Sequence, residues 1–257
     1  MTSIESIRRP VADQTTRRAR IAVSALFLTN GALFANILPR YPEIKAALDL
    51  DNAGYGLAIA AFPAGAIAAG LFAAVLIRRF GSARIAVIGT ICTGLGLLAA
   101  AFAPSGILFA VALLLGGAFD AITDVAQNAH GLRVQRRYGR SIINSFHAIW
   151  SIGAVLGGGM AAAAIALQLP LGVHLGISTA VFAAVAFTAL WFCLPGRDEE
   201  ADAEATAEPV ELQTAVRRGV SPRTVMILIA LTLIAMAGAI AICLLYTSPS
   251  PRDQRGS

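Results

Sequence analysis

Apolar runs of about 18 to 24 residues alternate with short polar breaks along most of the chain. They cover approximately residues 21–38, 55–77, 85–102, 106–127, 142–165 and 173–194, and a seventh begins at 225 and reaches about 245. Each is long enough to cross the ~30 Å hydrocarbon core of a bilayer as a helix. The pattern therefore predicts an all-α polytopic membrane protein, because in lipid only helices and closed barrels satisfy every backbone polar group. The breaks divide the chain into a polar tail at 1–20, a six-helix bundle at 21–194, a linker at 195–224, the start of a seventh helix at 225–245 and a tail at 246–257. Pro63 is expected to kink the second span, and Ala103-Pro104-Ser105 and Leu169-Pro170 mark tight turns.

Composition strengthens this reading. Hydrophobic residues make up 57% of the 257 positions and charged residues 14%, with a mean hydropathy of +0.71. Soluble domains carry roughly 45–50% apolar residues. The net charge of +5 would suggest nucleic acid in a soluble chain. Here the arginines flank membrane segments, and their distribution reports orientation instead. Sixteen Lys or Arg fall in the tail, the 195–224 linker and the breaks after the second and fourth spans, against Arg40 and Lys45 alone on the other side. By the positive-inside rule the N-terminus is cytoplasmic. Lys45 is the single lysine beside nineteen arginines, a usage that suggests a GC-rich bacterial genome and hence a bacterial inner membrane. Cys92, Cys193 and Cys243 are isolated in apolar runs and read as packing residues.

The stretch from Gly116 to Gly159 carries the chemistry. Asp120 and Asp124 lie inside the fourth apolar run, four residues apart and so on one helix face. A charge at the bilayer centre costs about 3 kcal/mol on insertion scales, so such a residue needs a partner or a watery cavity. Arg133, Arg136, Arg137 and Arg140 follow as a basic cytoplasmic loop. The fifth span then opens with Asn144, His147 and Trp150. Asp120 and His147 are placed at similar depths and are the candidates for proton uptake or gating together with Asp124. Asp124 and Asn144 are expected to form a layer nearer the cytoplasm. Asn30, Asn144 and Trp150 are the candidates to line a cavity. The bland alternative makes the two aspartates a structural cluster at an inner gate, partnered by Arg133, Arg78 or Arg79. The glycines Gly153, Gly157, Gly158 and Gly159 read as a tight packing surface.

The turn Ala74 to Arg84, AVLIRRFGSAR, resembles the G-x-L-x-D-R-x-G-R-R loop of the major facilitator superfamily. Leu76, Arg79 and Gly81 match. Arg78 stands at the motif's Asp, Ala74 at its first Gly, and Ser82-Ala83 at its basic pair, with Arg84 one position later. The blocks PRYPEIKAALDL and DVAQNAHGLRVQRRYGRSIINSFHAIWSIGAVLGG resemble a bacterial branch with fucose-permease-like pattern, over about residues 17–242. The glycine run is similar to that of drug/proton antiporters but lacks their proline. The resemblance implies a six-helix N-terminal bundle of two inverted three-helix repeats plus a truncated seventh helix, with a missing C-terminal half and a substrate site between halves.

On this reading the chain is an N-terminal fragment of a secondary active transporter of a small, sugar-like or drug-like solute, with H+ as a coupling partner. The competing reading is a half-size membrane protein acting as a homodimer or non-transporting sensor. The expected partners are the solute and the lipid bilayer, with no nucleic acid. No nucleophile–base pair, metal spacing or phosphate-binding Gly-Lys motif is present, so no enzyme activity, cofactor or metal is expected. The run Tyr246 to Ser257, YTSPSPRDQRGS, differs in character from everything before it and reads as a non-native tail.

Overall fold

A computed structural model describes residues 13–196. The expected linker beyond Gly196, the seventh span and the tail at 246–257 lie outside the described residues. Seven α-helices and one 3-10 turn make up the described part, which contains no strand. The helices are α1 (Gln14–Ile37), α2 (Tyr41–Ala47), α3 (Asn52–Phe80), α4 (Ser82–Ala101), α5 (Gly106–Tyr138), α6 (Ile143–Ala166) and α7 (Leu171–Leu190), with the 3-10 turn at Leu38–Arg40. Among the described residues, six helical segments, one starting on each of α1 and α3 to α7, are long and apolar enough to cross a membrane. Their outer faces carry large exposed side chains such as Leu57, Ile67, Ile107 and Val155, which acyl chains would cover.

Helix starts follow from local chemistry. The Asp13 carboxylate accepts from the Thr16 amide at 2.8 Å, and Asp51 does the same for Gly54. Ser105 caps α5 through the Leu108 amide. These side chains satisfy amides that have no intrahelical partner. Gly81 both ends α3 and opens α4 at φ +86°, a conformation that penalises any residue with a Cβ. Pro63 sits inside α3, which continues through it as one helix.

Two helices extend beyond the apolar runs. α1 begins at Gln14, so Arg17, Arg18 and Arg20 belong to the helix rather than to a tail. Thr16 and Ala19 are buried there and draw the first turns into the bundle. α5 runs to Tyr138, so the stretch expected as a basic loop is mostly helix. Arg133, Arg136 and Arg137 lie on it, and Arg140 alone falls in the turn after Gly139. The reason is Val134, which is fully buried among Val23, Phe27, Ile142 and Phe146 and continues the helical packing period.

α1 and α5 cross at the centre. α1 packs chiefly on α6 and α7, while α5 packs on α3 and α4, and α4 meets α7. The first three spans and the last three thus exchange partners as a two-fold axis would require. The close contacts obey the same exchange. Gly31 of α1 lies against the Trp150 carbonyl of α6, and Gly117 of α5 against the Phe62 carbonyl of α3. Gly153 of α6 lies against the Leu28 carbonyl of α1, and Gly65 of α3 against the Leu114 carbonyl of α5. A Cβ at any of the four would collide with backbone. Small residues let the helix axes approach, and here they set the register of both repeats.

Candidate functional site

The closely packed α1–α6 pair and the α1–α5 crossing bring three polar side chains together. The Trp150 indole Nε1 donates to Asn30 Oδ1 at 2.7 Å, and Asn30 Nδ2 donates to Asp120 Oδ1 at 2.7 Å. Asn30 is buried, while Asp120 and Trp150 are half-buried. The amide is used at both ends: its oxygen accepts from the indole N–H and its nitrogen donates to the carboxylate. An Asn that donates to a carboxylate and accepts from an indole has its side-chain orientation determined by its neighbours. Asp120 lies about 21 Å from the start of α5 and about 27 Å from its end, so it sits near the middle of the helix. Among the described residues no ion pair reaches it. An ionised carboxylate retains further acceptor sites beyond the one Asn30 fills.

One turn toward the arginine-bearing end lies a second polar layer. The Asp124 carboxylate accepts from Asn128 Nδ2 at 3.1 Å, and His147 lies within electrostatic reach of it. The His147 ring packs edge-on to Phe27, 5.3 Å between centroids. Asp124 and His147 are both exposed. The pairing expected from depth alone, Asp120 with His147 and Asp124 with Asn144, is offset by one turn in the structure. No hydrogen bond joins either pair among the described residues. Asn144 lies a further turn along α6 and is exposed.

The other sequence candidates serve the arginine-bearing end. Arg78 and Arg79 are exposed on the last turn of α3, with Arg79 5.3 Å from the Phe80 ring centroid, and Arg84 is exposed on the first turn of α4. Arg133 is buried and donates from Nη1 to the Gly196 carbonyl at 3.1 Å and from Nη2 to the Pro195 carbonyl, pinning the chain that leaves α7. Arg136 and Arg137 are exposed. Arg140 stands over the Tyr138 ring, whose hydroxyl accepts from Arg20 at 2.9 Å. Gly153 and Gly157 pack against Leu28 and Ala32 of α1, whereas Gly158 and Gly159 meet open space.

The family model of the Major Facilitator Superfamily matches residues 23–256. The chain belongs to that superfamily. It is 33% identical over 152 residues to the uncharacterized transporter y4wD of Sinorhizobium fredii, covering 59% of this chain and 40% of that protein. It is 30% identical over 152 residues to an uncharacterized MFS-type transporter of Yersinia pestis, covering 58% of this chain and 39% of that protein. The chain thus spans about two-fifths of the length of these curated relatives.

In this superfamily bundle the repeat relation exposes residues that spacing missed. The glycine contacts place Phe62 where Trp150 stands in the other repeat. In the same register Gly116 replaces Asn30 and Phe34 replaces Asp120. Phe34 and Phe62 are in ring contact, 5.4 Å between centroids, and Gly116 lies beneath Phe62. An aromatic pair therefore occupies the two-fold mate of the polar triad. Also missed were the buried Gln127, which donates to the Leu26 carbonyl at 3.1 Å, and His130, whose Nδ1 lies 2.9 Å from Ser82 Oγ while its Nε2 accepts the Leu194 amide. The spacing Asp124, Gln127, His130 is the signal that could have found them, since it prolongs the polar positions along α5.

Proposed function

We propose that the chain is the N-terminal part of a secondary active transporter that moves a small solute, with Asp120 as the group that couples solute movement to protons. The observation that carries this reading is the placement of Asp120: mid-helix, half-buried, hydrogen-bonded to Asn30 and free of any ion pair among the described residues. Such a carboxylate is costly to keep ionised in lipid without a compensating charge. A proton or a cationic group of the solute supplies that compensation, and a change in solvent access during alternating access switches it. Trp150 and Asn30 hold the carboxylate in place, and the Asp124–His147 layer lies on the route toward the arginine-bearing end. Phe34, one turn beyond Asn30 on α1, meets Phe62 at an interplanar angle of 47° and supplies an apolar surface. This pairing suits a solute with one hydrogen-bonding edge and one apolar face, whether a sugar ring or an amphipathic drug-like molecule. Further helices complete the site from the other side, and the arginine-bearing end faces the cytoplasm of a bacterial inner membrane.

The test is uptake into proteoliposomes containing the complete gene product, driven by an imposed pH gradient. The solutes offered are a panel of labelled monosaccharides and aromatic amines. Accumulation of a panel member is expected for the wild type. For Asp120→Asn, gradient-driven accumulation should fall at least tenfold while the protein stays monodisperse and helical. Full gradient-driven uptake by Asp120→Asn would assign the aspartate to structure or gating instead.

A further inference from the structure

A groove between α1 and α7 is not used by the proposed transport site. It encloses about 480 Å³ at the arginine-bearing end of the bundle. Ala22 and Ala25 from α1 face Val185, Thr188 and Ala189 from α7, the Thr188 hydroxyl being satisfied by the Ala184 carbonyl, and Ile21 and Phe192 form the rims. The two stripes have helical spacing, so they form one continuous furrow about 10 Å long, a third of the hydrocarbon thickness. Ile21 and Phe192 are exposed, so the furrow opens outward. Arg18 closes one end. It sits one turn before Ala22 on the same face of α1, is exposed, and has no acidic partner among the described residues. Arg17 is exposed beside it, whereas Arg20 is taken by Tyr138.

We propose that this groove holds one acyl chain of an anionic phospholipid, with the lipid phosphate on Arg18. An apolar furrow in a membrane-spanning face, ending at a guanidinium, matches a lipid in both parts. The furrow excludes water and takes a hydrocarbon chain, and a guanidinium binds phosphate oxygens in a two-pronged geometry that an ammonium or a neutral side chain does not reproduce. Ordinary annular lipid needs neither feature. The charge selects anionic over zwitterionic lipid, and the furrow distinguishes a seated lipid from headgroup attraction alone.

The experiment is a lipid titration of the full chain in detergent, followed by native mass spectrometry. The probes are dioleoylphosphatidylglycerol and dioleoylphosphatidylcholine. The first phosphatidylglycerol is expected to bind at least fivefold more tightly than the first phosphatidylcholine. Arg18→Gln should bring the two to parity, Arg18→Lys should keep part of the preference, and Ala25→Phe should weaken the first phosphatidylglycerol by a similar factor by filling the furrow. Arg18 and Ala25 lie outside the interior triad, and circular dichroism checks that each variant is folded. Equal binding of the two lipids to the wild type overturns the proposal. So does unchanged phosphatidylglycerol binding in both Arg18→Gln and Ala25→Phe. A disulfide formed between Ala25→Cys and a cysteine placed in the 197–224 segment, with no lipid preference, would show that the chain's own linker occupies the groove instead.

Discussion

Across the pseudo-two-fold axis the same backbone arrangement carries opposite chemistries. On one side Trp150, Asn30 and Asp120 form a hydrogen-bonded line through α6, α1 and α5. On the other, Phe62, Gly116 and Phe34 occupy the equivalent places on α3, α5 and α1, and the two rings meet at an interplanar angle of 47°. The contacts below both sides are alike, each built from a glycine seated on a facing carbonyl. The scaffold is therefore indifferent to the chemistry it presents. Three side-chain identities decide whether a side can hold a charge or only an apolar surface. The bundle breaks its own symmetry at these few positions while keeping the glycines that hold the helices together.

The largest effects should come from breaking what the two sides share. Gly153→Val and Gly65→Val each drive a branched side chain into a facing carbonyl, and overpacking against backbone costs about 3 kcal/mol or more. Both should sharply lower the yield and thermal midpoint of the detergent-purified protein, and by comparable amounts. A tolerant Gly65→Val beside a crippling Gly153→Val would show that the two repeats do not carry the bundle equally.

Next comes the centre of the polar side. Asn30→Leu leaves the Trp150 indole and the Asp120 carboxylate without their shared partner, and an unsatisfied buried polar group costs about 1–3 kcal/mol. The expected loss is about 2 kcal/mol, measured by thermal or denaturant unfolding in detergent. Asn30→Leu with Asp120→Asn should lose less than the sum of the two single changes, because the orphaned carboxylate has gone. Additive losses would break the triad as a unit.

The smallest change makes the polar side resemble its mate. Trp150→Phe removes one hydrogen bond and keeps a ring, and such bonds between membrane helices contribute about 0.6 kcal/mol on average. Stability should fall by roughly that amount, while gradient-driven uptake slows because Asn30 is held less firmly. The counterpart Phe62→Leu should cost about 1 kcal/mol through lost ring contact and leave gradient-driven uptake unchanged. Gradient-driven uptake that responds more to Phe62→Leu than to Trp150→Phe would reverse the proposed roles.

Much of the architecture was legible without coordinates. Run length located the spans, because bilayer thickness demands a minimum apolar length whatever the sequence. It misplaced the ends of α1 and α5, since Thr16, Ala19 and Val134 are buried by tertiary contacts that hydropathy does not register. That Asp120 would need a polar partner was visible because an acid inside an apolar run is physically expensive. Its partner was not. Depth along separate helices suggested His147, whereas the structure supplies Asn30, ninety residues earlier in the chain, and offers His147 to Asp124 one turn away. The aromatic mate of the triad was invisible, because Phe34 and Phe62 look like ordinary members of apolar runs until the glycine contacts align the two repeats.

By itself the sequence determined that the chain crosses a membrane several times, that its arginines gather at one end, and that one span carries a carboxylate needing compensation. These follow from the free energies of moving apolar, charged and backbone groups between water and lipid, and they depend on residue type and spacing alone. Only the tertiary structure decided which side chains meet. Helix rotation and relative height choose a hydrogen-bond partner, and both are set here by glycines resting on carbonyls of distant helices, a geometry that no single segment encodes.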